Sequence, residues 1–479
     1  MIAFLIFLLG LGVPGGASAL SGEVRSHQEA YLEVVVVPDS GGRMVATAIR
    51  FPAGSAEDPI GSEGTAFLLG RVLEGEGEGR LAPFGARLSM EVRPEEFMVS
   101  MTVRPDRWRE AMGELVGLLH EGDLPDAELG GLKDAVLEQL QFEEGAPVRG
   151  FERERAALLR GSDHRAARSP QGTRSTVVSL GRDELASFRA DHLVPGQARV
   201  AVVGPVDEDE VRRVLPGPVR TVREGGGWDG GESERQVVVD PQPPEERPDA
   251  EEGTGDDGTP GFEGSPVDAV AALPPAPSMA LYREESDSPL RVPTASSGSL
   301  AWEAGDRVVV DRQLTSTWIA VAFPFPPGTP SVLLEFLGHL VYEALTPSPP
   351  DPGLYEAGVT VEWVAQSPVL MVSASVDPRI TSRWEDRLTG SLEALSEGAP
   401  TGSFFELTRR RFRSALFLEL SVPEARARWV TRKLAQGEDP IPDLQREIWR
   451  FRPGAVAEAA RAAGPPRVLL FGPRDMMGR

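Results

Sequence analysis

Three residues of the stretch GTAFLLGRVL, Phe67, Gly70 and Arg71, fall at i, i+3 and i+4. On a helix such positions share one face. The same spacing, written H-x-x-E-H, puts two imidazoles on a zinc ion and a carboxylate on the water that the metal activates. Here a phenyl ring and a guanidinium stand at the imidazole positions, and a hydrogen atom stands at the carboxylate position. None of the three offers a lone pair to Zn²⁺, and Arg71 repels a cation. Metal-assisted hydrolysis is the chemistry that this spacing serves, and these side chains cannot perform it.

Other candidate chemistry is sparse. The five histidines, His27, His120, His164, His192 and His339, are scattered, with no two within four residues. Glu335, His339 and Glu343 do share a helical face, but the opposite face carries Leu333, Phe336, Leu337, Leu340 and Val341, so the acidic stripe reads as solvated rather than as a metal site. EGEGEGR, residues 74–80, is rich in glycine yet acidic, unsuited to phosphate, and reads as a flexible helix exit. No nucleophile elbow with a plausible triad, Walker motif or dinucleotide glycine motif occurs. With no cysteine in the chain, disulfides, iron–sulfur clusters, thiolate zinc sites, a cysteine nucleophile and a lipidated N-terminal cysteine are excluded.

The elements that would position Phe67, Gly70 and Arg71 are legible as pattern. Residues 64–73 read as a mostly buried helix with a cap at Ser62 or Thr65. Ahead of it, YLEVVVVPDSGGRMVATAIRF gives two β-rich runs around a Ser-Gly-Gly turn, expected as a hairpin-like pair. Two further strands (PFGARLSMEV and EEFMVSMTV), a helix over DRWREAMGELVGLLHEG and a helix over DAELGGLKDAVLEQL follow. In the last of these, Leu129, Leu132, Val136 and Leu140 form the apolar side, and Gln139 is expected to face inward with them. The half ends in a strand, VAVVGP.

Residues 224–306 change texture. They are rich in Gly, Pro and acid, without apolar periodicity, and read as an extended acidic linker. From residue 307 the order strand, helix, strand pair, helices and final strand repeats, closing on VLLFGP, so the chain reads as an internal duplication of α+β domains. The expected division is 1–19 leader, 20–223 first domain, 224–306 linker and 307–479 second domain. The leader expectation rests on IAFLIFLLGLGV running into Ala17-Ser18-Ala19, the layout of a cleavable export signal, which places the protein in the periplasm or outside the cell; because no basic residue precedes the apolar run, an uncleaved anchor or a misassigned start codon is the competing reading. A net charge of −24 argues against nucleic acid and against anionic membrane as partners.

Taken in order, FPAGS (51–55), Gly64-Thr65-Ala66, Gly85-Ala86, LKDAVLEQL, EEGAP and QGTRSTVVSLGRDELASFRADHLVPGQARVAVVGPV resemble the landmarks of the insulinase or pitrilysin-type zinc metallopeptidases, the group that includes mitochondrial processing peptidase. The resemblance covers nearly all of 30–479 except the linker. It implies two domains, each a mainly antiparallel sheet with helices packed on it. It implies an extended peptide added to the edge strand at Gly85, Ala86, Arg87, Leu88 and Ser89. It places the family's last zinc ligand on Gln139, or on Glu138 if the frame slips by one, so no cofactor is expected. The family also contains paired subunits, one holding zinc and the other contributing an Arg and a Tyr from its second domain. Tyr355 matches that tyrosine, while no arginine precedes it between Leu345 and Gly353. Packing at a strand start is the alternative role for Tyr355. The implied function is a non-catalytic subunit that pairs with a zinc-bearing paralogue and helps form its peptide chamber; a standalone peptide-binding or scaffold protein is the alternative.

Overall fold

A computed structural model describes residues 33–120, 126–144, 146–215, 219–221, 306–347, 351–364, 366–397, 402–440 and 442–474. The leader at 1–19 and all of the 224–306 segment but its last residue lie outside them.

In chain order the elements are β1 (Glu33–Pro38), β2 (Val45–Phe51), α1 (Thr65–Leu81), β3 (Arg87–Arg93), β4 (Glu96–Val103), α2 (Trp108–His120), α3 (Asp126–Glu144), α4 (Pro147–Arg160), α5 (Arg174–Ser179), α6 (Arg182–His192), β5 (Arg199–Gly204), α7 (Glu208–Val214) and β6 (Val219–Thr221). They continue with β7 (Arg307–Asp311), β8 (Thr317–Pro324), α8 (Ser331–Leu345), β9 (Leu354–Val364), β10 (Ser367–Val376), α9 (Thr381–Thr389), α10 (Ser391–Glu397), α11 (Gly402–Leu420), α12 (Pro423–Ala435), α13 (Leu444–Arg450), α14 (Pro453–Ala462) and β11 (Arg467–Gly472). Among the described residues no helix is long and apolar enough to cross a membrane.

The chain forms two compact units of α+β type. The first comprises the described residues up to Arg149, Asp163–Thr221 and Leu420–Pro440. The second comprises Gly150–Ser162, the described part of Val222–Glu419, and Ile441–Arg479 up to Arg474. The division thus differs from the expected 20–223 and 307–479 at two places, since each unit takes one helix from the other's stretch of sequence. An amphipathic pattern reports that a helix has a buried face, not which sheet that face covers.

In the first unit the sheet order is β3-β4-β2-β5-β1-β6. β1 and β2 are not the hairpin expected from their adjacency, because β5 lies between them, parallel to β1 and antiparallel to β2. Its Val200–Val203 run is buried on both faces, as a central strand requires. Alternation along β4 sorts the two faces. Phe97, Val99 and Met101 join Leu69, Val72 and Leu73 of α1 in one core, while Ser100 and Met98 meet Arg428 and Thr431 of α12 on the other side.

The second unit repeats this plan in the sheet β7-β11-β8-β10-β9. β11 is parallel to β7 and antiparallel to β8, as β5 is to β1 and β2. One face of the sheet carries α8. The other carries α4, whose Phe151, Leu158 and Leu159 pack with Val369, Met371, Leu469 and Phe471. α4 therefore serves the second sheet as α12 serves the first.

Candidate functional site

The expected site face lies on α1, and what fixes α1 is its N-terminal end. Neither Ser62 nor Thr65 supplies the cap; the Thr65 hydroxyl instead donates to the Ser62 carbonyl at 2.6 Å. The capping group is Asp58, six residues ahead of Gly64. It is 1% exposed, and its Oδ2 and Oδ1 accept from the backbone N–H groups of Gly64 (2.7 Å) and Ala66 (2.9 Å). Burial pushes this carboxyl up from its ordinary 3.8 to about 6, against the pull of the backbone donors of Ala66, Gly64 and Thr65 and with a smaller upward push from the charge on Glu63. Asp58 is the residue that sequence reading missed. In AEDP it looks like a turn former, and nothing local shows a cap acting across six residues.

The sequence landmarks converge here. Gly64 has φ +101° and a position where a Cβ would lie 2.7 Å from the Gln171 carbonyl oxygen. Gly172 has φ +73°, with a Cβ position 2.0 Å from the Glu63 carbonyl oxygen. Thr176 donates its hydroxyl to that same carbonyl at 2.7 Å, and Arg168 pairs with Glu63 at 3.2 Å. Gly54 of FPAGS presses on the β3–β4 turn, where a Cβ would fall 2.0 Å from the Arg93 carbonyl oxygen. So the Gly64-Thr65-Ala66 frame and QGTR lock together at the start of one helix, while FPAGS braces the β3–β4 turn.

Beyond that clamp α1 runs to Leu81, through EGEGEGR, which is helix and not an exit. Arg80 stabilises this last part by pairing with Glu76 one turn back (3.5 Å) and with Glu114 of α2 (3.0 Å). Gly77 supplies the close approach to Leu88 and Leu118.

Of the three candidate positions, Phe67 is half-buried and packs against the core. Gly70 is buried; a Cβ there would lie 3.1 Å from Val92 Cγ2. Arg71 is 54% exposed and its Nη1 pairs with Glu74 Oε2 at 3.1 Å. The other oxygen of that carboxylate, Oε1, accepts the backbone N–H of Met90 in β3 at 3.2 Å.

α3 packs against α1 through a side that includes buried Val136 and Leu140. Gln139 does not face inward with them. It is exposed, as is Glu138. The buried side is centred nearer Lys133, whose Nζ donates to the carbonyls of Val178 (2.8 Å) and Leu180 (2.7 Å), and this turns Gln139 onto the flank. Phenyl, hydrogen, guanidinium and carboxamide do not fit Zn²⁺, and among the described residues no group of three or more His, Asp or Glu is placed to hold a metal ion.

Gly85 closes the turn after α1 with φ +64°, and Ala86 leads from it into β3, an edge of the first sheet. Along β3 Arg87 is exposed and Leu88 is buried. Ser89 points to the α12 side, within hydrogen-bond reach of Arg428 (2.8 Å) and Glu424 (3.3 Å). Tyr355 is at the start of β9, the edge of the second sheet, and is 61% exposed, so it is not packed there.

In the second unit Gly338 of α8 does what Gly70 does in the first. A Cβ on it would meet Val359 of β9 at 3.0 Å and Leu370 of β10 at 3.2 Å. Counting from the two glycines, Glu335 and His339 correspond to Phe67 and Arg71. They are half-buried rather than a solvated stripe. With Tyr342, Phe412, Leu416 and Glu419 they line a cavity of about 340 Å³ between α8, β9 and α11. Burial lowers the pKa of His339, with a counteracting upward pull from Glu343 and a further lowering by Arg411. Glu343 itself pairs with Arg411 at 2.7 Å.

No family model and no curated protein matches the sequence. Solved structures do. A protease from Helicobacter pylori superposes with a TM-score of 0.65 at 14% identity, covering 93% of this chain and 98% of that one. An inactive domain of the peptidase M16 class from Pseudomonas fluorescens gives 0.60 at 14%, covering 93% and 96%. A chain of complex III2 from Candida albicans gives 0.60 at 14%, covering 92% and 93%. The chain has the fold of the M16, or pitrilysin-type, peptidase domains, as its landmarks imply.

Proposed function

We infer that the chain is an exported, non-catalytic peptidase-like subunit, which binds an extended peptide and completes the chamber of a zinc-bearing paralogue. One observation carries the reading: the helix at the place of the metal helix is held at its start by buried Asp58 and by the QGTR loop, while its site face presents Phe67, Gly70 and Arg71. Such a helix keeps its placement without the atoms that grip zinc. The similar structures include both an inactive M16 domain and a chain of the complex III assembly, which is consistent with a non-catalytic role inside a larger unit. Beside the helix, β3 has a neighbouring strand on one side only, the kind of edge that peptides extend. The leader is the support for export.

The test is co-expression with an H-x-x-E-H paralogue, followed by affinity capture of this chain and a peptidase assay on the eluate. The expected result is a one-to-one complex whose zinc and activity reside in the partner and whose activity falls when this chain is omitted. A chain that stays alone beside every such paralogue, yet binds peptides, is a standalone peptide-binding protein.

A further inference from the structure

The Arg71–Glu74 pair does more than replace a metal site, because Glu74 also holds the edge strand. We propose that Glu74 occupies the free edge of β3 in place of an added strand, and that the peptide admitted there carries a carboxylate that takes over Arg71. The proposal rests on the peptide-binding reading and specifies its ligand.

β3 has β4 on one side only, so the Met90 N–H that reaches Glu74 points off the sheet. That N–H is one an incoming strand would use, since a peptide carbonyl must answer each outward donor. Glu74 Oε1 already answers it at 3.2 Å, and Oε2 of the same carboxylate holds Arg71 at 3.1 Å. A peptide carbonyl arriving at Met90 must expel Oε1. The displaced carboxylate leaves a guanidinium that is always charged, 54% exposed and adjacent to the newcomer. A peptide carboxylate restores the lost pair, bidentate where the geometry allows, and a neutral peptide does not.

The second unit shows that this arrangement is not a by-product of the fold. Four residues beyond Gly70 is Glu74; four beyond Gly338 is Tyr342, which has no carboxylate and lines the cavity instead. The clasp is particular to the edge for which a peptide is expected.

The experiment uses the full chain, with Glu74→Ala and Arg71→Gln as variants and circular dichroism to confirm their fold. Deuterium exchange over β3 is read first, and is expected to be about tenfold faster in Glu74→Ala. Binding is then read by anisotropy with three labelled β-forming peptides: one with an internal Glu and an amidated end, its Gln counterpart, and that counterpart with a free C-terminal carboxylate. Glu74→Ala should bind all three about tenfold more tightly than the natural chain. In the natural chain one of the two carboxylate peptides should bind about five- to tenfold more tightly than the neutral one, showing which carboxylate is used. Arg71→Gln should erase that difference. Equal exchange in the natural chain and Glu74→Ala overturns the clasp whatever binds, and equal affinity for all three peptides in the natural chain overturns the carboxylate requirement. Slow exchange in the natural chain and fast exchange in the variant, with no peptide bound by either, refutes the peptide reading itself and the ligand assigned on it.

Discussion

Helices α1 and α8 follow the second strand of their sheets, press a glycine onto the next hairpin, and then diverge. The start of α1 is gripped by a buried carboxylate and by glycines in close approach, whereas α8 begins after Pro330, whose own side chain makes no cap. Four residues past its glycine α1 ties down an edge strand, and at the same place α8 opens onto a cavity. Equal architecture therefore does not mean equal sites. The sheet and the glycine contact are what the duplicated plan requires, and the outward face of each helix is left to vary.

The sharpest way to break this contrast is at the clamp. Gly172→Ala must place a Cβ 2.0 Å from a backbone oxygen at φ +73°, so the QGTR loop or the start of α1 has to move. The expected loss is about 3–4 kcal/mol in urea unfolding, from clash and left-handed strain together. Gly402 in the second unit has a comparable φ of +62° but open space around its Cβ position, so Gly402→Ala should cost only about 1 kcal/mol. Similar losses at the two positions would show that the clamp is no tighter than an ordinary turn.

Asp58→Ala comes next. It leaves the N–H groups of Gly64 and Ala66 buried without their acceptor, at a cost of about 1–3 kcal/mol.

The same carboxyl has a pH signature. Its folded pKa lies above the unfolded value, so the folded state takes up its proton at higher pH. Its contribution to stability is greatest below 3.8 and declines as pH rises towards about 6. The distance between those two values caps the effect at about 3 kcal/mol. Unfolding curves of the natural chain and Asp58→Asn at pH 4.5 and 6.5 should differ by about 1–2 kcal/mol in their pH dependence, with the natural chain losing more stability on going to the higher pH. A parallel dependence would show that Asp58 titrates as a solvated acid.

These effects also mark what the sequence could and could not disclose. Runs such as VAVVG and VLLFG identify strands, and their matching positions identify the duplication, because a buried strand writes its environment into consecutive residues. Strand neighbours are set over longer range. Nothing between Glu33 and Phe51 announces that β5, some 150 residues later, inserts between β1 and β2. That Phe67, Gly70 and Arg71 cannot hold zinc is legible because it depends on residue type alone. Asp58, the Met90–Glu74 contact and the flank position of Gln139 are not, since each depends on where a backbone group or a helix rotation ends up after packing.

The smallest effect compares the two glycines directly. Replacing a mid-helix glycine by alanine gains about 0.5–1 kcal/mol in an unhindered helix. At Gly70 the new methyl meets one close atom, Val92 Cγ2 at 3.1 Å, with Phe97 at an ordinary 3.6 Å. At Gly338 it meets two, Val359 Cγ1 at 3.0 Å and Leu370 Cδ1 at 3.2 Å, so two neighbours on different strands must give way at once. Gly70→Ala should therefore come out near neutral, and Gly338→Ala less stable than it by about 0.5–1 kcal/mol in parallel urea titrations. If Gly338→Ala proves the more stable of the two, the cavity beside α8 has absorbed the methyl, and the two helices differ in how firmly their hairpins hold them as well as in what they present.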